Sequence, residues 1–140
     1  MYREYPTGVI DVAAEQQLIE QYDKIVFQFP FHWFSSPPLF KTWLDKVFTY
    51  GWAYGSKSGF KMAGKKIALA ISVGVAEEMY NAEEKYKYTL EELTRQFELT
   101  FDYVKADYRP LFAYYGLELN AEESWIAQSV PFYMEYLDAL

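Results

Sequence analysis

The sequence contains no cysteine and a single histidine, His32, among its 140 residues. The absence of cysteine excludes disulfides, zinc–thiolate sites, iron–sulfur clusters and thiol catalysis. A lone histidine excludes a metal centre built from several histidines, and no metal site is predicted. Any Ser-His-Asp triad would have to include His32.

Basic residues and long apolar runs are also scarce. Thirteen Lys and Arg against twenty Asp and Glu give a net charge of −7, which argues against binding to a nucleic-acid backbone. The longest apolar run, Ile67–Ala76, is about half the length that spans a bilayer. Met1–Pro6 does not resemble a signal peptide. These features predict a soluble, acidic protein of the cytoplasm.

Apolar residues are abundant, and their spacing alternates between strand and helix. Hydrophobic residues make up 51% of the sequence and aromatic residues 21%, which predicts one folded domain over residues 1–140. Ile25–Phe29 and Ile67–Val73 are nearly continuous apolar runs, typical of strands covered on both faces. Leu111–Tyr115 predicts a weaker third strand. The order of elements predicts an α/β layered fold with a parallel sheet.

Four helices are predicted around these strands. A short one spans about residues 11–22 and precedes the first strand. Ser36 as N-cap, with Pro37 at the first helical position, predicts the start of the second. Thr89 and Glu92 have the spacing of a capping box, which predicts the start of the third.

The fourth predicted helix repeats the capping pattern. Asn120 is followed three residues later by Glu123, and the helix is expected to run toward Leu140. Pro131 lies inside this segment and predicts a kink or a break, because proline removes a helical hydrogen bond.

Two loops should meet at the carboxyl edge of the sheet, where ligands bind in folds of this kind. The first is Pro30–Ser35, which carries four large side chains in succession; the second is Gly74–Tyr80. Aromatic side chains there suit a flat ligand, and the alternative is that they cover the core or form a dimer interface. The aromatic cluster of Tyr50, Trp52 and Tyr54 is a second interface candidate.

Two further motifs carry less weight. Gly59–Lys66 nearly matches a phosphate-binding loop, but it ends in Lys66 rather than Ser or Thr and leads into a strand. Paired acidic residues could indicate a glycosidase. They are adjacent in sequence, and at helix starts they complement the helix dipole. The pairs are Glu77/Glu78, Glu83/Glu84, Glu91/Glu92 and Glu122/Glu123.

A long run of residues around the first loop resembles the NAD(P)H:quinone oxidoreductase family. These are flavodoxin-like flavoproteins of the general stress protein and modulator-of-drug-activity type. The matching segments are 27–38, 41–48, 50–55, 64–66, 88–93 and 110–116. The resemblance implies a flavodoxin-like three-layer sandwich, FMN or FAD as cofactor, a homodimer, and hydride transfer from NAD(P)H through the flavin to a quinone or similar acceptor.

The same resemblance implies roles for particular residues. The flavin ring would contact the first loop through Pro30, Phe31, His32, Trp33 and Phe34. It would contact the second loop through Ser72, Val73, Gly74 and Val75. Tyr80 would be the active-site tyrosine that offers its O–H to the flavin or the acceptor. The substrate pocket of a partner subunit would be closed by Trp52 and Tyr54.

Two departures from the family pattern bear on activity. The second loop usually reads Thr-Thr-Gly-Gly, so Val73 lacks a hydroxyl, and Val75 is expected to narrow access to the flavin. The family's first strand, phosphate-binding loop and second strand are expected to be missing, which would leave the strand at 25–29 without one neighbour. Two alternatives therefore stay open: an inactive fragment, and an ancillary subunit that reaches the membrane only through a potassium efflux transporter.

Overall fold

The computed structural model describes residues 1–120 and 122–140, and helices alternate with parallel strands along them. The helices are α1 (Val12–Glu20), α2 (Pro38–Val47), α3 (Leu90–Tyr103) and α4 (Glu123–Ala139). The strands are β1 (Lys24–Pro30), β2 (Lys66–Ser72), β3 (Asp107–Tyr108) and β4 (Phe112–Tyr114). A short 3₁₀ helix covers Glu77–Met79. The predicted α/β order is confirmed.

The sheet is organised around β2. Its pairing with β1 runs in register from Lys24–Lys66 to Pro30–Ser72. The other side of β2 pairs with β3 and, further along, with β4, and all these pairs are parallel. The five central residues of β2 are buried, as its apolar run predicts. Among the described residues, β1 pairs with β2 alone.

The predicted third strand is present as two short pieces. β4 retains the middle of the predicted segment, whereas β3 lies upstream, where no strand is predicted. Pro110 lies between the two pieces. Because proline has no N–H to donate, the regular ladder is interrupted there and resumes at β4.

Helices cover both faces of the sheet, which gives three layers. The ring of Phe27 lies 4.9 Å from that of Phe40 in α2 and stacks on Phe101 of α3 at 5.6 Å. On the opposite face, the Tyr133 hydroxyl of α4 donates to Gln28 at 3.3 Å. Successive residues of a strand point to opposite faces, so α2 and α3 form one outer layer and α4 forms the other.

The starts of α2 and α3 test the capping predictions. The capping box of α3 is confirmed, since the Glu92 N–H donates to Thr89 Oγ1 at 3.1 Å and the Thr89 N–H donates to Glu92 Oε2 at 2.8 Å. The Ser36 prediction is wrong, because α2 begins at Pro38 with Pro37 as its N-cap and has no side-chain cap. The second proline takes the first helical position, where a missing N–H has no cost.

The start of α4 also differs from the prediction. Glu122 is its N-cap residue and makes no side-chain capping bond. Asn120 Nδ2 donates instead to the Gly116 carbonyl at 3.2 Å. The helix continues through Pro131 without a break. No helix among the described residues is long and apolar enough to cross a membrane.

Candidate active site

A cavity of about 390 Å³ opens where the loops after β1 and β2 meet. The loop after β1 is held to β2, because the Phe31 N–H donates to the Ser72 carbonyl at 2.8 Å. The cavity volume lies within the range of roughly 300–1,000 Å³ that is common for small-molecule sites. Its lining consists of Phe31, His32, Trp33, Phe34, Gly74, Val75, Tyr80, Tyr86 and Glu118.

The first loop makes a tight turn with an unusual backbone. His32 and Ser35 exchange two backbone hydrogen bonds, of 2.8 and 3.0 Å. The two residues between them, Trp33 and Phe34, have φ values of +49° and +59°. A turn of this hand normally carries Asn or Gly, because bulky side chains strain the left-handed region. Such strain costs on the order of 1–3 kcal/mol per residue and is concentrated at functional sites.

The same turn combines unpaired backbone donors with an exposed aromatic ring. Among the described residues, the backbone N–H groups of Trp33 and Phe34 have no hydrogen-bond acceptor. The side chain of Trp33 is 85% exposed, although tryptophan is usually well covered. An exposed aromatic ring beside two free N–H groups suits a planar ligand with acceptor atoms along one edge.

Tyrosines form the opposite wall of the cavity. Tyr80 follows the 3₁₀ helix, and its ring lies 6.3 Å from Phe31 and 4.9 Å from Tyr86. The ring of Tyr86 lies 5.1 Å from that of Phe34, which connects the tyrosine wall to the first loop. The backbone N–H of Tyr86 donates to the Met79 carbonyl at 3.1 Å and fixes this loop against the 3₁₀ helix.

Tyr80 is nearly buried, and its environment favours the protonated phenol. Burial raises the pKa of Tyr80 above its ordinary value, and the nearby Tyr86 and Glu118 add to the shift. Burial is the largest cause because a phenolate loses its hydration there. At neutral pH, Tyr80 is therefore a hydrogen-bond donor facing the cavity.

Gly74 forms part of the cavity floor and lies directly under a carboxylate. A Cβ atom built on Gly74 would lie 2.6 Å from both Cδ and Oε1 of Glu118. The Glu118 N–H also donates to the Gly74 carbonyl at 2.8 Å. A side chain at position 74 would displace the carboxylate of Glu118, which is the flexible end of an exposed side chain.

Seven of the predicted site residues come together in this cavity. They are Phe31, His32, Trp33, Phe34, Gly74, Val75 and Tyr80. Three others do not line it. Pro30 ends β1, the Ser72 side chain lies by the face of the sheet that α4 covers, and Val73 is 1% exposed in the core. The missing hydroxyl at Val73 therefore does not face the cavity.

Trp52 and Tyr54 lie outside the cavity of their own chain. Trp52 Nε1 donates to Glu20 Oε1 at 2.8 Å. Tyr54 lies 5.7 Å from Tyr103 and lines a groove of about 350 Å³ between α2 and α3. Their assignment to the pocket of a partner subunit stays a prediction.

Tyr86 and Glu118 also line the cavity, and the sequence did not predict either of them as a site residue. Glu118 comes shortly after β4, so it lies at the carboxyl end of a third parallel strand. The rule that ligands bind beyond those ends points to this segment as well as to the two predicted loops. Tyr86 has no comparable signal, because its place depends on how the loop after Tyr80 folds back.

Comparison with known proteins identifies the family. A family model described as a flavodoxin-like fold matches residues 1–137. An uncharacterized NAD(P)H oxidoreductase of Bacillus subtilis (strain 168), YrkL, is 45% identical over 140 residues, covering 99% of this chain and 79% of that protein. The chain belongs to the flavodoxin-like NAD(P)H oxidoreductase family.

Other relatives of this chain extend the comparison. The general stress protein 14 of Treponema denticola, solved in complex with FMN, is 48% identical with a TM-score of 0.90; the match covers 99% of this chain and 78% of that one. An NADPH-quinone reductase from P. pentosaceus is 31% identical with a TM-score of 0.83, covering 93% and 76%. The ancillary protein KefG of a glutathione-regulated potassium-efflux system, from Pectobacterium atrosepticum, is 37% identical over 141 residues, covering 94% and 76%.

The cavity of this chain fits the ring system of a flavin. The walls are aromatic, and the unpaired N–H groups of Trp33 and Phe34 can meet the acceptor atoms on the edge of the ring. Among the described residues that line the cavity, none is Lys or Arg. The fit therefore concerns the ring and not the phosphate of the cofactor.

Proposed function

We propose that this chain is an FMN-dependent NAD(P)H oxidoreductase that reduces a quinone or a similar flat acceptor. The observation that carries the proposal is the aromatic cavity beside the strained Trp33–Phe34 turn, with its two unpaired N–H groups. FMN is favoured because a relative 48% identical to this chain is described in complex with it. A quinone acceptor is supported by the similarity to an NADPH-quinone reductase.

The roles of the lining residues follow from their chemistry. FMN bound in this cavity would supply a ring able to take a hydride from NAD(P)H and to donate two electrons to the acceptor. The N–H groups of Trp33 and Phe34 orient the ring and stabilise negative charge on its edge. Phe31, Tyr80 and Tyr86 supply the apolar wall that excludes water. The protonated hydroxyl of Tyr80 is available to donate to an acceptor oxygen.

The test is direct. FMN is titrated into the purified chain while flavin fluorescence is followed, and NAD(P)H oxidation is then measured with and without a quinone. Trp33→Ala removes an exposed ring and should weaken FMN binding about tenfold, equivalent to about 1.4 kcal/mol. Phe132→Ala, at an exposed aromatic of α4 outside the cavity, is the matched control and should bind normally. A wild-type chain that binds no FMN even in excess contradicts the proposal.

We also propose a homodimer in which Trp52 and Tyr54 of one chain close the cavity of the other. Its support is that both side chains lie outside the cavity of their own chain, and that Tyr54 lines an open groove. Trp52→Ala should raise the KM for the quinone without weakening FMN binding. If the chain sediments as a monomer and is fully active, the proposed dimer is contradicted, whereas the proposed activity is not.

A second candidate function is that of an ancillary subunit of a potassium efflux system. The similarity to KefG favours it. Capture of this chain by the transporter, with equal strength for Trp33→Ala and wild type, would support a role independent of the cavity. Capture that is lost together with FMN binding would argue against that independence.

A further inference from the structure

Glu118 is the one acidic side chain among the described residues that line the cavity. Its segment is fixed to the second loop by a ladder of three backbone hydrogen bonds. The N–H groups of Gly116, Leu117 and Glu118 donate to the carbonyls of Val75, Val73 and Gly74, at 2.9, 3.1 and 2.8 Å. The position of Glu118 is therefore set by the sheet edge.

The carboxylate of Glu118 lies against the cavity floor. Its Cγ, Cδ and Oε1 atoms are 2.8, 2.6 and 2.6 Å from the point that a Cβ atom on Gly74 would occupy. The side chain thus occupies the space that the glycine leaves open. A molecule that enters the cavity above Gly74 must pass close to this negative charge.

Within the described residues, the carboxylate of Glu118 forms no ion pair. The side chain of Glu118 takes part in none of the hydrogen bonds or ion pairs found there. No Lys or Arg lines the cavity. The charge also acts on a neighbour, since the carboxylate of Glu118 contributes, after burial and Tyr86, to raising the pKa of Tyr80.

We propose that Glu118 selects acceptors by charge, so that the cavity disfavours anionic acceptors relative to neutral ones of the same shape. This inference rests on the proposed function and names the substrate class of that site. The residue is open to water, which screens the repulsion, so a selection of about tenfold is expected rather than several hundredfold. A carboxylate without a proton can only accept hydrogen bonds, so its role is selection and not proton donation.

The experiment compares two acceptors that share one ring, 1,4-naphthoquinone and its 2-sulfonate. In the wild type, kcat/KM should be lower for the sulfonate. Glu118→Gln keeps the shape and removes the charge, and it should raise the sulfonate-to-neutral ratio of kcat/KM about tenfold. The value for the neutral quinone should change by a smaller factor than the value for the sulfonate. Glu135→Gln, an equal charge change at an exposed site on α4, should leave the ratio unaltered.

Salt supplies an independent readout. Added salt screens an exposed charge, so the wild-type ratio should rise with ionic strength toward that of Glu118→Gln. The ratio in Glu118→Gln should respond much less. If the substitution acted only by disturbing the structure, kcat/KM would change by the same factor for both quinones, and that change would not depend on salt.

A binding measurement separates this inference from the proposed function. The dissociation constants of both quinones are measured without NAD(P)H by quenching of tryptophan fluorescence, on the chain with and without FMN. If FMN does not bind but Glu118→Gln still improves sulfonate binding selectively, the proposed function fails and the selection by Glu118 holds. If the neutral quinone binds and the ratio of the two dissociation constants is equal in wild type and variant, the proposed selection by Glu118 is wrong. A chain that binds neither quinone overturns both.

Discussion

Aromatic residues occur in two contrasting settings, the core and the cavity. In the core, the ring centroid of Phe27 lies within 5.6 Å of the ring centroids of Phe40, Trp43 and Phe101, and all four residues are buried. In the cavity, Trp33 is 85% exposed and belongs to a turn with left-handed backbone. The same residue types are thus held in two ways: on regular strands and helices in the core, and on a strained turn in the cavity.

The contrast shows what each group does for the protein. Core rings stabilise the fold because they remove apolar surface from water. The Trp33–Phe34 turn instead stores strain, and the paired hydrogen bonds of His32 and Ser35 keep it in place. Residues that strain a fold without covering its core are expected to serve binding. The predictions below test this division.

The largest difference should appear when one ring of each kind is removed. Phe101 is fully buried and stacks on Phe27. Phe101→Ala should lower the free energy of unfolding by about 3–5 kcal/mol because it leaves a cavity. Trp33→Ala should lower it by less than about 0.5 kcal/mol, as exposed positions do. Urea denaturation of both variants measures the two values, and a loss above about 2 kcal/mol for Trp33→Ala would abolish the distinction.

A second prediction concerns the strain itself. The left-handed region costs an L-residue roughly 1–2 kcal/mol, whereas glycine adopts it freely. Trp33→Gly should therefore be about 1 kcal/mol more stable than Trp33→Ala, after allowance for the greater unfolded-state entropy of glycine. Both variants should bind FMN more weakly than the wild type.

The comparison of these two variants is informative because both lack the tryptophan ring. Equal stability would mean that the turn relaxes once the ring is gone, so that the side chain itself causes the left-handed backbone. Circular dichroism melts, run beside the urea series, would show the difference as a shift of several degrees in Tm.

Local patterns in the sequence predicted much of the fold. The apolar runs of β1 and β2 and the capping box at Thr89 depend on neighbouring residues alone, and the structure has all three. β3 was missed, because a strand of two residues is defined by its partner Lys66–Ile67 rather than by its own sequence. α2 begins one residue later than predicted, because either of two adjacent prolines can take the first helical position.

The candidate site was predicted in part for a similar reason. The two loops are sequence neighbours of β1 and β2, so the sheet rule locates them without knowledge of the packing. The left-handed φ of Trp33 could not be expected, because bulky residues rarely adopt it. Glu118 lies beside the cavity because the backbone of residues 116–118 is hydrogen-bonded to that of residues 73–75. A pairing between segments so distant in sequence leaves no periodic signal in either one.

The smallest effect concerns a property that core and cavity share, the burial of phenol groups. Burial raises the pKa of Tyr80 in the cavity and of Tyr108, which is half-buried and packs on the core residue Phe101. In the unfolded chain, tyrosines lose their protons near about pH 10. The folded state keeps these protons longer, so stability is fully present below about pH 10 and falls as the pH rises further.

Removing either hydroxyl group should reduce the loss of stability at alkaline pH. Tyr80→Phe and Tyr108→Phe should each reduce the loss of unfolding free energy between about pH 9 and pH 10.5, by less than about 1 kcal/mol. Urea denaturation at the two pH values gives the loss for each protein, and the contribution of lysine titration cancels when the loss in the variant is subtracted from that in the wild type. If Tyr108→Phe reduces the loss of unfolding free energy at alkaline pH and Tyr80→Phe does not, the cavity admits enough water to hydrate a phenolate. Tyr80 would then differ from Tyr108 in chemistry as well as in position.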